Sequence, residues 1–492
     1  MASGSVTGAV LMERAGAGVM AAALAQWPDL RASRLRAVVL CGPGNNGGDG
    51  FVIARLLHGW GWAVDLFLLG DASRLPPDAR AMHDRWRTYG AVHPLDAKAL
   101  HGHEAELWVD AIFGIGLSRQ VPDTVYLTLA GMDEARALRG ARVVAVDVPS
   151  WLCADSGRGL GRDLNFCADL TVTFHALKPG HLLAEGPRAC GRVVVADIGL
   201  DAQGDGRLTL TDAGDPANLQ KSGLHKYDHG HALIVSGGPG EGGAARLSAR
   251  GALRIGAGLV TVGCPLPALA ENAARLDAVM LRPLDDAAAL AHLLEDKRYT
   301  ALCLGPGMGQ GRARALVPVA LASGRRVVLD ADAVSAWADN PPALFALLHP
   351  GCVLTPHGGE FARLFPDLAR RLTDAPETGP AFSKVDATRE AARRAGCTVV
   401  FKGPDTVIAD QTGVCVVNSA YGDRAAPWLA TAGTGDVLAG FITGLMGRGL
   451  PPMQAAQSAV WLHVECARSF GPGLIAEDLP EALPAVFRSL GL

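Results

Sequence analysis

The chemistry of this chain is concentrated where short apolar runs end in glycine, asparagine or aspartate. After Val38-Val39-Leu40-Cys41 comes Gly42-Pro43-Gly44-Asn45-Asn46-Gly47-Gly48-Asp49-Gly50. Glycines between a strand and a helix let backbone N–H groups approach a phosphate or pyrophosphate at the helix N-terminus. No Lys-Ser/Thr pair follows the last glycine, so the loop is not of the Walker type. Asn45, Asn46 and Asp49 add carboxamide and carboxylate oxygens, which can also hold a monovalent cation. Two further runs end in a carboxylate before a turn: Val109-Asp110-Ala111-Ile112-Phe113-Gly114 and Val146-Asp147-Val148-Pro149-Ser150. Two carboxylates on strands beside the glycine loop can serve as a base and a cation ligand. Taken singly, each can equally cap a helix.

A second concentration lies near the C-terminus, in Thr431-Ala432-Gly433-Thr434-Gly435-Asp436-Val437-Leu438-Ala439-Gly440. Small residues run into an apolar helix, so backbone amides and the helix dipole converge on one point. Such a point stabilises negative charge on a transferring phosphoryl group. Asp436, in the first turn, can accept a hydroxyl proton. The alternative is a glycine-rich helix cap without a ligand.

These loops need a scaffold of parallel strands. In the first half, runs at 37–40, 64–69, 107–109, 143–146, 170–174 and 193–195 are near-continuously apolar and alternate with helical patterns. The helix after the first of them is expected to start near Gly50. That pattern predicts an α/β fold with a parallel sheet covered on both faces. A polar stretch from Asp201 to about Ser222 interrupts the rhythm, which resumes with runs at 232–235, 259–262, 301–304, 327–329 and 398–401. The division is placed at 1–208 and 209–492. Ligands of open α/β sheets bind beyond the carboxyl ends of the strands, where these loops lie.

Composition narrows the classes. With 45 Lys+Arg against 49 Asp+Glu, the formal charge of −4 offers no basic surplus for nucleic acid. The 61 glycines and 30 prolines fall in clusters between apolar runs, as tight turns do. Ten scattered cysteines without a Cys-x-x-Cys pair fit reduced thiols in the cytoplasm. No stretch is expected to span a membrane, and the Ala-rich opening, interrupted by Glu13 and Arg14, is a poor signal peptide. His225, His229 and His231 lack acidic or cysteine partners at metal-ligand spacing, and the segment Met453–Arg468 reads as core packing.

Leu11-Met12-Glu13-Arg14-Ala15-Gly16, the glycine loop, Asp110 with Phe113-Gly114, Val146-Asp147-Val148-Pro149-Ser150 and Phe174-His175-Ala176-Leu177-Lys178-Pro179-Gly180 together resemble the NAD(P)H-hydrate epimerase family. The resemblance implies a Rossmann-like three-layer domain that interconverts the R and S forms of nicotinamide cofactors hydrated at C6. It implies hydrate contacts from Asn45, Asn46, Gly47, Gly48, Asp49, Gly114, Ile115, Gly116, Leu117, Ser118, Arg119, Gln120 and Asp147, with Asp147 as acid/base. It further implies potassium (K+) on Asn46, Asp110 and Ser150. Trp151 stands where that family usually has glycine, which would set an indole against the cation or the substrate.

The second half carries His225-Lys226-Tyr227-Asp228, Gly243-Ala244-Ala245-Arg246, Gly305-Pro306-Gly307-Met308-Gly309, Leu329-Asp330-Ala331-Asp332, Thr355-Pro356-His357-Gly358-Gly359-Glu360, Phe401-Lys402-Gly403-Pro404-Asp405-Thr406 and the Asp436 segment. In this order they resemble the ADP-dependent (S)-NAD(P)H-hydrate dehydratases, which have a ribokinase-like α/β domain. The resemblance implies that Asp436 deprotonates the hydrate's hydroxyl. It implies hydrate contacts from Ala244 or Ala245, Gly309, His357 and Asp436. ADP/AMP contacts would come from Lys402, Gly403, Pro404, Asp405, Thr406 and Gly435, with Mg2+ on the diphosphate. The whole chain would then be a bifunctional repair enzyme in the cytoplasm, acting on NADHX, NADPHX and ADP, and a homo-oligomer, a tetramer or larger. The alternative is a ribokinase-like small-molecule kinase whose first half is a non-catalytic nucleotide-binding or scaffold domain.

Overall fold

A computed structural model describes residues 6–492 except 33, 98, 99, 101, 102, 162, 163, 202, 203, 205, 222 and 224. The chain forms two compact units, one comprising Met1–Gly204 with Asp374–Ser383 and the other Asp205–Thr373 with Lys384–Leu492.

The first unit is built on β1 (Arg36–Cys41), β2 (Ala63–Leu68), β3 (His93–Pro94), β4 (Leu107–Ala111), β5 (Arg142–Val146), β6 (Leu170–Phe174) and β7 (Arg192–Ala196). They lie in the order β3-β2-β1-β4-β5-β6-β7, all parallel. Successive strand residues face opposite sides. Val39, Cys41, Val109 and Val146 therefore pack with the helices Gly8–Gln26 and Asn45–Gly59. Leu40, Trp108, Val143 and Ala145 pack on the other side with the helix Asp123–Arg139. Every first-half apolar run expected as a strand is one. The two-residue β3 was too short to carry a pattern.

Strand order reverses between β1 and β4, the place where an open α/β sheet leaves a crevice. In register, Leu40 pairs with Asp110 and Asp110 with Ala145. The glycine loop, the Asp110 turn and Asp147 thus leave three adjacent strands at one end.

The second unit is built on β8 (Leu208–Leu210), β9 (His231–Val235), β10 (Leu259–Cys264), β11 (Met280–Pro283), β12 (Ala301–Leu304), β13 (Arg326–Leu329), β14 (Cys352–Leu354), β15 (Thr398–Phe401), β16 (Asp405–Ala409) and β17 (Cys415–Ser419). Their order is β11-β10-β9-β12-β13-β14-β15-β16-β17-β8, with β15, β16 and β17 antiparallel neighbours. Ala232, Ile234, Val260, Cys303 and Val328 form a core with the helices Gly243–Arg254, Thr434–Gly447 and Pro452–Phe470. That last helix is core packing, as expected.

Three expectations differ. The boundary after 208 falls inside β8, which pairs with β17; part of the expected linker stretch, residues 202, 203, 205 and 222, lies outside the described residues. The helix expected from Gly50 starts at Asn45, so the glycine loop forms its first turn. The helix Gly8–Gln26 is long and apolar enough to cross a membrane by length and composition. Its Met12, Ala15, Val19, Ala23 and Leu24 are nonetheless buried in the first unit, with Met12, Val19, Ala23 and Leu24 in its core. The expected signal-peptide comparison includes residues 1–5, which lie outside the described residues.

Candidate active sites

In the first unit the glycine loop closes on itself. A Cβ on Gly42 would stand 1.7 Å from Ile112 O, and one on Gly47 would stand 2.1 Å from Gly42 O. No side chain fits at either position, which keeps the backbone open at the start of the helix Asn45–Gly59. Asn46 and Asp147 meet over the Asp110 turn: a Cβ on Gly114 would lie 3.0 Å from Asn46 Oδ1 and 3.2 Å from Asp147 Oδ2. Asn46 Nδ2 is buried without a partner, an unspent donor beside these oxygens.

Asp147 is held from several sides. Its backbone is left-handed (φ 67°), a conformation that persists in a non-glycine residue only when surroundings enforce it. His181 Nδ1 accepts from Lys178 N at 3.0 Å, so Nε2 carries the hydrogen and donates to Asp147 O at 2.8 Å. Burial lowers the imidazole pKa. Lys178 Nζ lies 2.7 Å from Asp147 Oδ1, and Thr173 Oγ1 donates to the same oxygen at 2.8 Å. Asp49 is buried, and its desolvation, with the charge of Asp147, raises its pKa well above the ordinary aspartate value. A carboxyl of raised proton affinity therefore stands near a lysine-paired one.

Asp110 is fully buried. Desolvation lifts its pKa to about 6 despite hydrogen bonds from Ser150 and from Ile112 N. Ser150 Oγ donates to Asp110 Oδ1, accepts from Phe113 N at 2.8 Å and lies 3.2 Å from Phe113 O. Asp110, Ser150 and Phe113 O thus form a buried oxygen cluster with one carboxylate, a donor set suited to a hard cation. Trp151 does not crowd it: the indole is 3% exposed and packs in the core with Leu40, Ile112, Val125 and Phe166. Leu117, Ser118, Arg119 and Gln120 line a cavity of about 360 Å³ together with Pro43, Gly70, Phe113 and Gly116. Ile115 is exposed.

In the second unit, Gly433 (φ 90°) turns the chain into the helix Thr434–Gly447 with Asp436 in its first turn. His463 Nε2 donates to Thr434 O at 2.9 Å, and Ser248 Oγ donates to Asp436 O at 2.8 Å. A Cβ on Gly435 would lie 3.4 Å from Lys402 Nζ. Lys402 Nζ itself sits 2.7 Å from Asp330 Oδ1, which also accepts from Thr355 Oγ1 at 2.7 Å. Burial opposes the lysine's charge, but Asp330 and Glu360 outweigh it and hold its pKa above the ordinary value. Burial and the charge of Asp330 raise Asp436 to about 7, with Lys402 partly offsetting them.

The other expected residues divide. Gly309 N donates to Asp332 Oδ2 at 2.9 Å. His357 caps the helix Gly358–Leu364 through Nδ1, which accepts from Gly359 N at 3.0 Å. Ala244 is half-buried, and a Cβ on Gly307 would lie 3.3 Å from it; Ala245 belongs to the apolar core, not to a binding surface. Asp405 is paired with Lys384 at 2.7 Å, and Thr406 Oγ1 accepts from Gly403 N at 3.2 Å, so both shape the Lys402 turn.

Lys178, Asp330, Asp332 and Glu360 lie inside the motifs of the sequence but carry no expected role there, and neither do Thr173, inside the 170–174 run, and His181. The signal was a polar side chain at the carboxyl end of a parallel strand, which Asp330 and Thr173 satisfy.

Residues 8–180 match the family described as YjeF-related protein N-terminus, and residues 232–483 match NAD(P)H-hydrate dehydratase. A Moorella thermoacetica protein named bifunctional NAD(P)H-hydrate repair enzyme Nnr is 34% identical over 510 residues, covering 98% of this chain and 92% of that one. The Escherichia coli protein of that name is 32% identical, covering 97% and 89%. A Rhodobacter capsulatus NAD(P)H-hydrate epimerase is 49% identical over 205 residues, 41% of this chain and 92% of that one. Among solved structures, the Bacillus subtilis ADP/ATP-dependent NAD(P)H-hydrate dehydratase co-crystallised with ATP/Mg2+ aligns at TM-score 0.44 and 26% identity, over 57% of this chain and 94% of that one. With two family matches in series and relatives alike along nearly its whole length, the chain belongs to the family of bifunctional NAD(P)H-hydrate repair enzymes.

Proposed function

We propose that this chain restores hydrated nicotinamide cofactors. The first unit, residues up to 204 with 374–383, interconverts R- and S-NAD(P)H hydrate. The second dehydrates the S form at the expense of ADP, giving NAD(P)H, AMP and phosphate. The observation that carries this reading is Asp436: a carboxylate with its pKa near 7 at a glycine-capped helix start, one residue from the backbone over which Lys402 lies.

Hydroxide is a poor leaving group, so the hydroxyl must be esterified first. Asp436 takes the proton of the C6 hydroxyl as that oxygen forms a bond to the terminal phosphorus of ADP and AMP departs. The amides of Gly433–Gly435 and the Lys402 ammonium face the charge that develops on the transferring group. The C–O bond then breaks, phosphate leaves with the electron pair, and a proton lost from the neighbouring carbon restores the ring double bond. Gly309 and His357, with Ala244, would contact the hydrate, and Lys402–Thr406 with Gly435 the nucleotide. Mg2+ would ride on the diphosphate with waters as remaining ligands. Among the described residues no three His, Cys, Asp or Glu side chains are grouped to hold a metal.

In the first unit the hydrate would lie along Asn45–Asp49 and the 114–120 turn. Asp147 exchanges the proton at the C6 oxygen, with Lys178 and Thr173 fixing its orientation. K+ would be held by oxygens of Asp110, Ser150 and Asn46, where it would neutralise a buried carboxylate and orient the bound hydrate. All ten cysteines are free thiols, which suits a cytoplasmic setting. A homo-oligomer, tetramer or larger, is read by light scattering.

The test mixes R- and S-NADPH hydrate with the protein, ADP, Mg2+ and K+. The expected result is recovery of dihydronicotinamide absorbance for both epimers with stoichiometric AMP. A phosphorylated product that accumulates without elimination would instead mark a kinase, and recovery of the S fraction alone would remove the epimerase half.

A further inference from the structure

The segment Asp374–Ser383 comes from the midst of the chain's second family match, yet it folds as part of the first unit. It leaves after the helix Pro366–Thr373 and returns at the helix Lys384–Ala395. Between them it is bound by a continuous set of contacts. Gly379 N donates to Ser118 O at 3.0 Å, and Thr378 forms an antiparallel bridge with Arg119. Gly161 N donates to Pro376 O at 2.8 Å. Arg158 reaches both ends of the segment, donating to Phe382 O at 3.1 Å and to Asp374 O. Ala381 N donates to Cys153 Sγ, and Ala381 joins Leu117, Cys153 and Leu160 in a small apolar cluster separate from the main cores.

Ser118 and Arg119 belong to the turn read as carrying the hydrate contacts, Cys153 and Leu160 cluster with its Leu117, and Gly161 lies against its Gln120. Leu117, Ser118, Arg119 and Gln120 line the 360 Å³ cavity beside the glycine loop. Gly161, bonded to Pro376, is left-handed (φ 89°), and a Cβ on it would stand 2.5 Å from Gln120 Cγ. A turn with the sequence Gly114-Ile115-Gly116 has little stiffness of its own, since glycine loses the most conformational entropy on ordering. Its downstream half is fixed from outside, by this segment.

We propose that residues 374–383 are a positioning arm for the epimerase site: they hold the 117–120 turn at the height at which it contacts the hydrate. The inference rests on the reading of that turn as a hydrate contact. The arm touches no reacting atom, so it acts through ground-state binding geometry and should register mainly in KM. It also makes the epimerase unit discontinuous in sequence, so that residues 1–208 alone lack a piece of it.

The test uses the full chain and follows R/S equilibration of NADPH hydrate by chromatography without ADP, then S-hydrate dehydration with ADP as an internal control of folding. Arg158→Ala releases both ends of the arm. Gly379→Val disturbs it differently, because a Cβ there would stand 2.8 Å from Leu117 O. Displacements near 1 Å at a site cost up to about a hundredfold, so each variant should raise the epimerisation KM about tenfold, with kcat changed less and dehydration unchanged. Arg158→Lys should recover part of the loss. Unchanged KM in both variants overturns the arm, as does an equal loss of dehydration. Asp147→Asn separates the two levels: if it epimerises normally, the site reading itself has failed and the arm falls with it. If it is inactive while both arm variants bind normally, only the arm is wrong.

Discussion

Lys178 and Lys402 each stand 2.7 Å from an aspartate oxygen, but only in the first unit is that aspartate the one read as the acid/base. Lys178 pairs with Asp147 directly, and Thr173 completes the contact. Lys402 is given to Asp330 instead, leaving Asp436 among Asp330, Asp332 and Glu360 with its pKa raised to about 7. The difference suits the two chemistries. A group that must orient a proton at a reversible hemiaminal centre gains from a rigid ion pair. A group that must remove a hydroxyl proton at neutral pH gains from higher proton affinity and unoccupied lone pairs. In the first unit the raised carboxyls are different ones, Asp49 and Asp110. Both units thus place a carboxyl of raised proton affinity near a lysine-bound carboxylate, and differ in which of them is central.

The largest effect should come from crossing the two. Asp436→Asn should reduce dehydration by roughly 10²–10⁴-fold, the usual worth of a general base, and leave R/S equilibration intact; Asp147→Asn should do the reverse. AMP release and epimer ratio, measured on the same preparations, check both. Equal damage to both activities by either substitution would mean the sites are not independent.

Next in size is the pH dependence. As the proposed base Asp436 must be ionised, so kcat/KM for dehydration should fall as pH drops through about 7. Lys402→Met removes a cation that lowers this pKa, so the inflection should move up and the rate at neutral pH fall. For folding the sign is opposite. The native state binds this proton more tightly than the unfolded chain, so the group's contribution to stability declines as pH rises from the carboxylate range through about 7. An inflection that stays near 7 in Asp436→Asn would assign it elsewhere. Thr173→Val should act on epimerisation alone. It deletes a hydrogen bond to a charged group, worth about 1.5–3 kcal/mol, or roughly ten- to a hundredfold in rate.

The scaffold was far more legible than the contacts. The apolar runs at 37–40, 107–109 and 143–146 fixed three adjacent parallel strands, because buried parallel strands must be apolar on both faces. Strands β8, β11, β14, β16 and β17 escaped: Cys352–Leu354 is too short for a period, and Asp405 and Thr406 at the start of β16 read as part of a nucleotide loop. Asp110, Asp147 and Asp436 were legible because each ends a strand or opens a helix beside glycine. Their partners were not, since Lys178 reaches Asp147 and Lys402 reaches Asp330 across strands and loops that no local spacing encodes. The 374–383 arm was invisible for the same reason.

Trp151 gives the smallest effect and the sharpest check on the first site. Read from its place after Pro149-Ser150, the indole should press on the cation or the hydrate. In the fold it is core, with Nε1 buried and unpartnered. Trp151→Phe therefore has two opposed consequences for stability. The lost ring leaves a small void, which weakens packing, while removal of a buried unsatisfied N–H relieves a penalty of about 1–3 kcal/mol. The two should nearly cancel, leaving unfolding free energy within about 1.5 kcal/mol of the parent, the range of well-tolerated core exchanges. The epimerisation KM and its K+ dependence should not move, because the side chain is packed in the apolar layer with Val125, Leu129 and Met132 of the helix Asp123–Arg139. A changed K+ requirement in Trp151→Phe would return the indole to the site, and with it the view that this position tunes the first unit and has no counterpart in the second.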